Sequence, residues 1–301
     1  MLTPLAKLGL GPVLLAQARH LRRTALRLPE AVGAREGFVE GSGAANSSTV
    51  DGSAAASAST VDRPSTASAG ALRVLFVGDS SAAGVGVATQ AEALAEPTAR
   101  ALAARAGRDV HWQLVARSGI NTVEALDLIR TAELRPADVL VTALGVNDVT
   151  SQRTPSQFVR DTRVLWSELQ RRAGVRTWVA TGLPPLHILP AAPQPLRWYL
   201  GQCARRLDRA LMRWLQRLPA ARFCSMQWAA EPHAMAADGF HPGPSLYARW
   251  AQAVAGLIDA DFLKTDFLKT DLLKQLSADL RTAARAGSAL ARAPELFEDP
   301  R

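Results

Sequence analysis

Four clusters of glycines and polar residues stand out along the sequence because together they could carry out acyl transfer. They are Gly78-Asp79-Ser80, Arg117-Ser118-Gly119, Gly145-Val146-Asn147-Asp148 and Asp238-Gly239-Phe240-His241. Acyl transfer needs a nucleophilic hydroxyl, a base, a group that orients the base, and donors for the developing oxyanion. Each cluster alone also fits an ordinary turn, because Gly, Asp and Ser are common in loops. Their joint presence favours a catalytic site.

The residue types assign a role to each cluster. Ser80 is the predicted nucleophile, His241 the general base and Asp238 the carboxylate that orients the imidazole. The three-residue spacing lets Asp238 and His241 meet on one short loop. The predicted oxyanion donors are the backbone N–H groups of Ser80 and Gly119 and the side-chain amide of Asn147. We expect activity to rise with pH through about 6–7, as the base loses its proton.

The residues between the clusters predict the elements that position them. Apolar runs predict five strands, at 73–77, 110–116, 139–144, 177–181 and 222–226. Amphipathic stretches lie between the runs, and one of them begins with a capping box at 154–157. Such alternation implies a parallel sheet that is covered by helices on both faces. The first three clusters then follow strand ends, at the edge where ligands bind in α/β sheets.

The order of these clusters resembles that of the SGNH, or GDSL-type, hydrolase family. Gly78-Asp79-Ser80 matches the first block of the family, Gly119 the second, Gly145-Val146-Asn147-Asp148 the third and Asp238-Gly239-Phe240-His241 the fifth. The resemblance covers roughly residues 72–258. One departure is Ser81, which replaces the leucine that usually follows the nucleophile. Ser81 is therefore a second hydroxyl beside Ser80.

The resemblance implies a fold and an activity. The implied fold is an α/β, flavodoxin-like three-layer sandwich with a five-stranded parallel sheet, and the implied chemistry needs no metal or organic cofactor. Ser80, Gly119, Asn147 and His241 match family residues that have the roles assigned above. The implied activity is that of a serine esterase, which hydrolyses carboxylic esters through an acyl-enzyme. Sugar deacetylases, thioesterases and lysophospholipases belong to the same family, so the expected substrate is a small-molecule, lipid or carbohydrate ester.

Two other interpretations are open. Gly78 and Ser80 match half of the nucleophile elbow of the α/β-hydrolase fold, but the second glycine of that motif is Ala82 here. The chain could instead be a membrane-surface binding protein on a hydrolase scaffold, although the intact Ser80, Asn147 and His241 argue against an inactive site. No basic–aromatic stripe or binding motif points to nucleic acid as a partner.

Other polar residues near the clusters are expected to have structural roles. Asp79 is expected to cap the nucleophile turn, and Asp148 to hold the Asn147 loop through local hydrogen bonds. His187 lies in a proline-rich loop after the fourth strand that is expected to line the substrate pocket, and we do not expect it to act as a second base. Arg117, beside Gly119, could bind an anionic group of the substrate, but a structural ion pair is the expected role.

Composition divides the chain into four regions. Residues 1–40 form an N-terminal amphipathic or peripheral segment, 41–70 a flexible linker rich in Ser, Ala and Thr, 71–260 the hydrolase domain and 261–301 a helical tail. The tail begins with a pentapeptide that occurs twice in a row, at 261–265 and 266–270. Cys203 and Cys224 exclude a disulfide framework and are expected to be thiols without a redox role.

The N-terminal segment leaves two interpretations open. A mildly apolar run at 8–16 precedes Arg19, Arg22, Arg23 and Arg27, and the whole chain carries a net charge of +8. Residues 8–27 either contact an anionic membrane surface or form a helix that packs on the domain. The run is too short to span a bilayer, and most of its charges follow it, unlike those of a signal peptide. We therefore expect a cytoplasmic or peripheral membrane protein, and the Arg- and Ala-rich composition indicates a bacterial source.

Overall fold

The computed structural model describes residues 2–41 and 70–259. Its helices are α1 (Leu2–Thr24), α2 (Ala95–Ala106), α3 (Thr122–Thr131), α4 (Val146–Thr150), α5 (Pro155–Ala173), α6 (Leu196–Leu215) and α7 (Pro244–Gly256). Its strands are β1 (Glu36–Val39), β2 (Leu72–Gly78), β3 (Val110–Ala116), β4 (Val139–Ala143), β5 (Thr177–Thr181) and β6 (Ala221–Cys224). Short 3-10 helices lie at Gln90–Glu92, Leu186–Ile188 and Pro232–Ala234. The predicted linker, apart from its two end residues, and the predicted tail lie outside the described residues.

The strands form one sheet in the order β1-β3-β2-β4-β5-β6. β2 pairs in parallel with both β3 and β4, and the sheet continues in parallel through β5 to β6. All residues of β4 and β5 are buried, which explains why these strands are continuous apolar runs that do not alternate. The predicted α/β fold class is confirmed, and the five parallel strands lie within two residues of their predicted ends.

The sheet has a sixth strand that the sequence analysis missed. β1 pairs antiparallel with β3, so that Glu36 lies opposite Gln113 and Val39 opposite Val110. Because β1 has four residues, alternation of apolar and polar side chains has too few positions to be recognised. Part of the segment that was expected to be amphipathic or peripheral therefore belongs to the sheet.

Helices cover both faces of the sheet. On one face, Phe76 of β2 belongs to an apolar cluster with residues of α2 and α7, among them Trp250. On the other face, Trp178 of β5 stacks on Trp166 of α5 with ring centroids 5.1 Å apart, and Trp214 of α6 lies 5.6 Å from it. These tryptophans pack the layers together. The loops that carry the four clusters lie at the carboxyl ends of the parallel strands.

The helix α1 packs against α6. Leu14 is buried, and the side chain of Gln17 donates to the carbonyl of Gln194 (2.6 Å) and accepts from the N–H of Leu196 (3.0 Å). One of the two interpretations of the N-terminal segment was a helix that packs on the domain. This interpretation holds for one face of α1. None of the described helices combines the length and hydropathy that a transmembrane span needs.

Candidate active site

The nucleophile turn begins where β2 ends at Gly78. A Cβ atom at this position would lie 2.7 Å from the carbonyl oxygen of Ala143 in the neighbouring strand, so the close approach requires glycine. Asp79 caps the turn as predicted, because its Oδ1 atom accepts the N–H of Ser81 at 3.0 Å. The turn leaves Ser80 partly exposed at the carboxyl edge of the sheet.

The structure brings Ser80, His241 and Asp238 together. The Nε2 atom of His241 lies 2.8 Å from Oγ of Ser80, and its Nδ1 atom lies 2.5 Å from Oδ2 of Asp238. The other carboxylate oxygen of Asp238 accepts the backbone N–H groups of Phe240 and His241, at 3.0 Å each. One turn just before α7 thus holds both residues. The carboxylate of Asp238 fixes the imidazole of His241 so that Nε2 faces the hydroxyl of Ser80.

Asp238 is ionised in this arrangement. Burial by itself raises the pKa of the Asp238 carboxyl, but the hydrogen bonds from His241 and from the backbone of the turn lower it by more. The net pKa therefore lies below the ordinary value of an aspartic acid. The side chain of Asp238 is 4% exposed, so its charge is shielded from water. Such a carboxylate can hold the proton on Nδ1 and stabilise positive charge that develops on the ring during catalysis.

The three predicted oxyanion donors converge on the same edge. The backbone N–H groups of Ser80 and Gly119 have no hydrogen-bond partner in the described part of the chain. Gly119 has a φ of +82°, in the left-handed region that favours glycine. The side-chain amide of Asn147, in the first turn of α4, donates to Oδ2 of Asp79 (3.2 Å) and to the carbonyl of Ile120 (3.0 Å). These two acceptors belong to the sequence neighbours of Ser80 and Gly119.

Asp148 links two of the clusters. It is fully buried, and its Oδ2 atom accepts both the N–H (3.1 Å) and the hydroxyl (2.8 Å) of Thr122 at the start of α3. The expected local hydrogen bond is therefore wrong, because the partner lies 26 residues away in the sequence. Burial raises the pKa of Asp148 in spite of these bonds. Asp148 joins the loop of Asn147 to the helix that follows Gly119.

Asp79 is a buried acid beside the predicted donors, and it is 2% exposed. Burial is the largest cause that raises the pKa of Asp79, to about 7, and the charge of Asp148 adds to the rise. Hydrogen bonds from Ser81 and Asn147 favour the ionised form and oppose this change. Asp79 can therefore gain or lose a proton near neutral pH. Its predicted role as a cap on the turn gave no reason to expect this.

Tyr247 supports the nucleophile turn, and the sequence analysis missed this role. Its hydroxyl lies 2.8 Å from the carbonyl oxygens of both Ser81 and Val85, and the residue is completely buried. It anchors the turn to α7. In the sequence, Tyr247 occupies an apolar position of a helix, and no local signal distinguishes such a tyrosine from an ordinary core residue.

The expectations for His187 and Arg117 have different outcomes. His187 packs against Gly201 of α6, where a Cβ on the glycine would lie 2.5 Å from the Cβ of His187. The loop of His187 does line a cavity at the site, through residues such as Leu186 and Leu189. Arg117 is exposed, and the expected structural ion pair is not found among residues 2–41 and 70–259.

An apolar cavity of about 50 Å³ lies beside these groups. Its lining includes Ser81, Val146, Phe240 and Pro242, which are the sequence neighbours of Ser80, Asn147 and His241. Most of the other lining residues are apolar, including Met226, Leu246 and Trp250. Within the described ranges, no group of three or more His, Cys, Asp or Glu side chains is arranged to hold a metal ion.

The chain belongs to the GDSL-like lipase/acylhydrolase family. The model of this family matches residues 76–249, which is more than half of the chain and includes all four clusters. The family that the sequence resembles is therefore confirmed, and the protein is a hydrolase that acts on ester bonds. Comparison with curated proteins finds no match.

Several solved structures are similar to this one. A lipase from a goat rumen metagenome, Lip_vut3, is 16% identical with a TM-score of 0.48, and the match covers 62% of this chain and 96% of that one. TesA is 19% identical with a TM-score of 0.47, covering 64% and 98%. Est24, a carbohydrate acetylesterase from Sinorhizobium meliloti, is 17% identical with a TM-score of 0.45, covering 62% and 97%. At these identities the similarity concerns the fold alone.

Proposed function

We propose that the protein is a serine esterase that hydrolyses carboxylic esters through an acyl-enzyme formed on Ser80. The observation that carries this proposal is the chain of contacts from Asp238 through His241 to Ser80, 2.5 Å at the first step and 2.8 Å at the second. A nucleophile, a base within hydrogen-bond reach and a group that orients the base are the parts that such a mechanism needs.

In the first half-reaction, Oγ of Ser80 attacks the ester carbonyl carbon while Nε2 of His241 takes the hydroxyl proton. Asp238 stabilises the positive charge on the ring. When the tetrahedral intermediate breaks down, the alcohol leaves with the proton from Nε2, and the acyl group stays on Ser80. In the second half-reaction, Nε2 takes a proton from water, which attacks the acyl carbon. Oγ then leaves with that proton, and the carboxylic acid is released.

The N–H groups of Ser80 and Gly119 and the amide of Asn147 stabilise the oxyanion of each intermediate. Both amide hydrogens of Asn147 already have acceptors, Asp79 and Ile120. One of these bonds is therefore exchanged for a bond to the oxyanion when the ester reacts. Each such donor is worth about 3–4 kcal/mol in the transition state.

The nucleophile is tested by comparing wild type, Ser80→Ala and Ser81→Ala. We expect wild type and Ser81→Ala to hydrolyse p-nitrophenyl acetate and to react with a fluorophosphonate, because it is the hydroxyl of Ser80 that lies 2.8 Å from Nε2 of His241. We expect Ser80→Ala to do neither. The assignment is wrong if Ser81→Ala is the inactive variant, and the esterase proposal is wrong if all three proteins are folded and inert toward a panel of esters.

We infer that the acyl group is short and apolar. The cavity of about 50 Å³ has room for roughly four non-hydrogen atoms, since one water needs about 10–15 Å³ on the same measure. Sugar acetates fit this inference, and long-chain lysophospholipids or thioesters fit it less well. Ala229 lines the cavity, whereas Ala248 lies on the exposed face of α7.

A chain-length series tests this inference. We expect kcat/KM to be higher for p-nitrophenyl acetate and butyrate than for the octanoate. Ala229→Leu should lower kcat/KM for butyrate more than for acetate because it fills the cavity, and Ala248→Leu should change neither. A preference for octanoate would show that the acyl group binds elsewhere.

We also propose that residues 8–27, in α1 and directly after it, contact an anionic membrane surface. Arg19, Arg22, Arg23 and Arg27 are exposed and have no ion-pair partner among the described residues. Residues 2–29 contain no acidic residue. Val13 and Leu15 are 47% and 51% exposed, so apolar and basic side chains share this surface. Each arginine near an anionic surface contributes about 1 kcal/mol to binding.

Vesicle sedimentation tests the membrane contact. Full-length protein is expected to sediment with phosphatidylcholine vesicles that contain phosphatidylglycerol and to stay in solution with phosphatidylcholine alone. Changing the four arginines to glutamine should abolish sedimentation and leave esterase activity intact. A control with four exposed arginines changed elsewhere, Arg105, Arg130, Arg171 and Arg217, should still sediment. Equal loss in both variants would mean that net charge, and not α1, is responsible.

A further inference from the structure

Residues 30–35 lie between α1 and β1 and contact two of the loops that supply predicted oxyanion donors; we call these residues the strap. The strap comes before residues 76–249, which match the family model, so the strap itself lies outside the matched region although the loops that it contacts lie inside it. The mechanism proposed above gives the strap no role.

The strap is fixed on the nucleophile loop. The N–H of Ala31 donates to the carbonyl of Ala83 at 3.1 Å. The side-chain amide of Gln90 donates to the carbonyls of both Ala31 and Ala83, at 3.1 Å each. Ala31 is buried, and a Cβ at Gly84 would lie 2.6 Å from its Cβ, so the strap and the loop are in close contact. The backbone beside Glu30 therefore has a fixed position.

Glu30 reaches from the strap to the loop of Gly119. Its Oε1 atom accepts the N–H of Ser118 at 2.7 Å. Its other oxygen pairs with the guanidinium of Arg35, which also donates to the carbonyl of Ala116 (2.6 Å) at the end of β3. Burial by itself raises the pKa of Glu30, but the hydrogen bonds from Ser118 and Arg35 lower it by more. The carboxylate is therefore ionised, and a hydrogen bond to it is about twice as strong as a neutral one.

Residues 117–119 have few other restraints, whereas the next residue, Ile120, is buried and its carbonyl accepts the amide of Asn147 at 3.0 Å. Arg117, Ser118 and Gly119 are exposed, and the N–H of Arg117 makes a long hydrogen bond of 3.4 Å to Gly78. A Cβ at Gly119 would meet no atom within 4 Å, so packing does not fix its backbone. Glu30 accepts the N–H of Ser118, and the N–H of Gly119 belongs to the next peptide group along the chain.

We propose that Glu30 is a positioning residue for catalysis: by holding the N–H of Ser118, it keeps the N–H of Gly119 directed at the oxyanion. This proposal rests on the proposed esterase function, because it concerns a donor that acts in that mechanism. Glu30 acts through Ser118 and does not touch the substrate. Its role is in the transition state, so its loss should lower kcat and leave KM nearly unchanged.

The test compares wild type with Glu30→Ala, Glu30→Gln and Glu36→Ala in the full-length chain. We expect Glu30→Ala to lower kcat for p-nitrophenyl acetate about tenfold, which is less than the loss of a whole oxyanion donor. Glu30→Gln keeps an oxygen that can accept from Ser118 and should recover most of this loss. Glu36→Ala removes another carboxylate near the strap, which is paired with Arg135 on the surface, and should match wild type. If Glu30→Ala does not fold, Glu30→Asp replaces it. The shorter side chain keeps the negative charge but moves the carboxylate oxygen away from the N–H of Ser118.

Hydrogen exchange by mass spectrometry gives a readout that does not depend on turnover. Amides at 117–120 should exchange faster in Glu30→Ala than in wild type, Glu30→Gln or Glu36→Ala. Equal exchange and equal kcat in Glu30→Ala and wild type would overturn the proposal. A tenfold loss of kcat in both Glu30→Ala and Glu30→Gln would also overturn it. Failure of the esterase function is distinct, since wild type itself would then be inert, or Ser80→Ala would remain active.

Discussion

Asp79 and Asp238 have pKa values that are shifted in opposite directions. Asp238 accepts bonds from His241 and from its own turn, and its pKa is lowered. Asp79 is buried close to the carboxyl group of Asp148, and its pKa is raised to about 7. Asp238 is therefore a permanent negative charge at the imidazole, as its proposed role requires. Asp79 is a structural acceptor whose charge depends on pH.

The raised pKa of Asp79 predicts a pH-dependent cost in stability. In the unfolded chain, this carboxyl loses its proton near its ordinary pKa of 3.8, but in the folded chain it does so near 7. Between these values the folded state binds more protons, so the free energy of unfolding falls as pH rises. Asp79→Asn cannot ionise and should lack this fall. We expect the stability of Asp79→Asn relative to wild type to increase by about 2–3 kcal/mol from pH 5 to pH 8.

Urea unfolding at several pH values measures this difference. Asp127→Asn is the control, because the side chain of Asp127 is 65% exposed on α3. Its stability relative to wild type should stay nearly constant over the same pH range. Parallel curves for Asp79→Asn and wild type would show that Asp79 is ionised at every pH in the folded protein.

The residues proposed for chemistry could be predicted from the sequence, but several of their supports could not. Ser80 and His241 were predicted because their residue types are those of a nucleophile and a base, and Asp238 lies close to His241 in the sequence. The hydrogen bond between Asp79 and Asn147 joins residues 68 apart, and the bond between Glu30 and Ser118 joins residues 88 apart. A single sequence carries no local pattern for contacts between distant loops.

Among the secondary-structure elements, α7 has two functions. Its apolar face packs on the sheet, and Tyr247 on that face holds the nucleophile turn through its hydroxyl. The turn that carries His241 lies directly before this helix. Movement of α7 would therefore displace Ser80 and His241 together, so this core helix contributes to the geometry of the candidate site.

Tyr247→Phe tests this support. The substitution keeps the ring but leaves the carbonyl of Val85 without its buried donor, so we expect a loss of about 1–3 kcal/mol in the free energy of unfolding. We also expect a lower kcat, because the turn of Ser80 becomes less rigid. Tyr199→Phe is the control: its hydroxyl donates to Gln152 at 2.6 Å, away from the turn. Urea unfolding and ester hydrolysis measure both effects, and equal losses in the two variants would contradict a specific role for Tyr247.

At the level of elements, burial decides what the sequence predicts. The parallel strands were predicted because they are covered on both faces and are therefore apolar throughout. The strand β1 was missed because it lies at the edge of the sheet and its four residues are exposed or partly exposed. Backbone pairing with β3 holds it in place, and backbone pairing leaves no record in the side-chain pattern.

In the molecule as a whole, residues 2–41 are not a simple appendage to the hydrolase domain. The helix α1 packs on α6, the strap joins two loops of the site, and β1 covers the edge of β3. Trp112 of β3 is 5% exposed, and a Cβ at Gly37 of β1 would lie 2.7 Å from its Nε1 atom. The N-terminal residues therefore contribute to the core and contact two loops of the candidate site.

This arrangement predicts different results for two truncations. A chain that begins at residue 25 loses α1 but keeps the strap and β1, so we expect it to fold and to retain most of its kcat. A chain that begins at residue 70 also loses Glu30 and Ala31 and exposes the edge of β3. We expect it to lose several kcal/mol of stability, since a buried residue, an ion pair and a whole strand pairing are removed together. Urea unfolding and p-nitrophenyl acetate hydrolysis of both chains measure the outcome. If the chain from residue 70 matches the chain from residue 25 in stability and kcat, then the strap and β1 are dispensable and the site is complete without them.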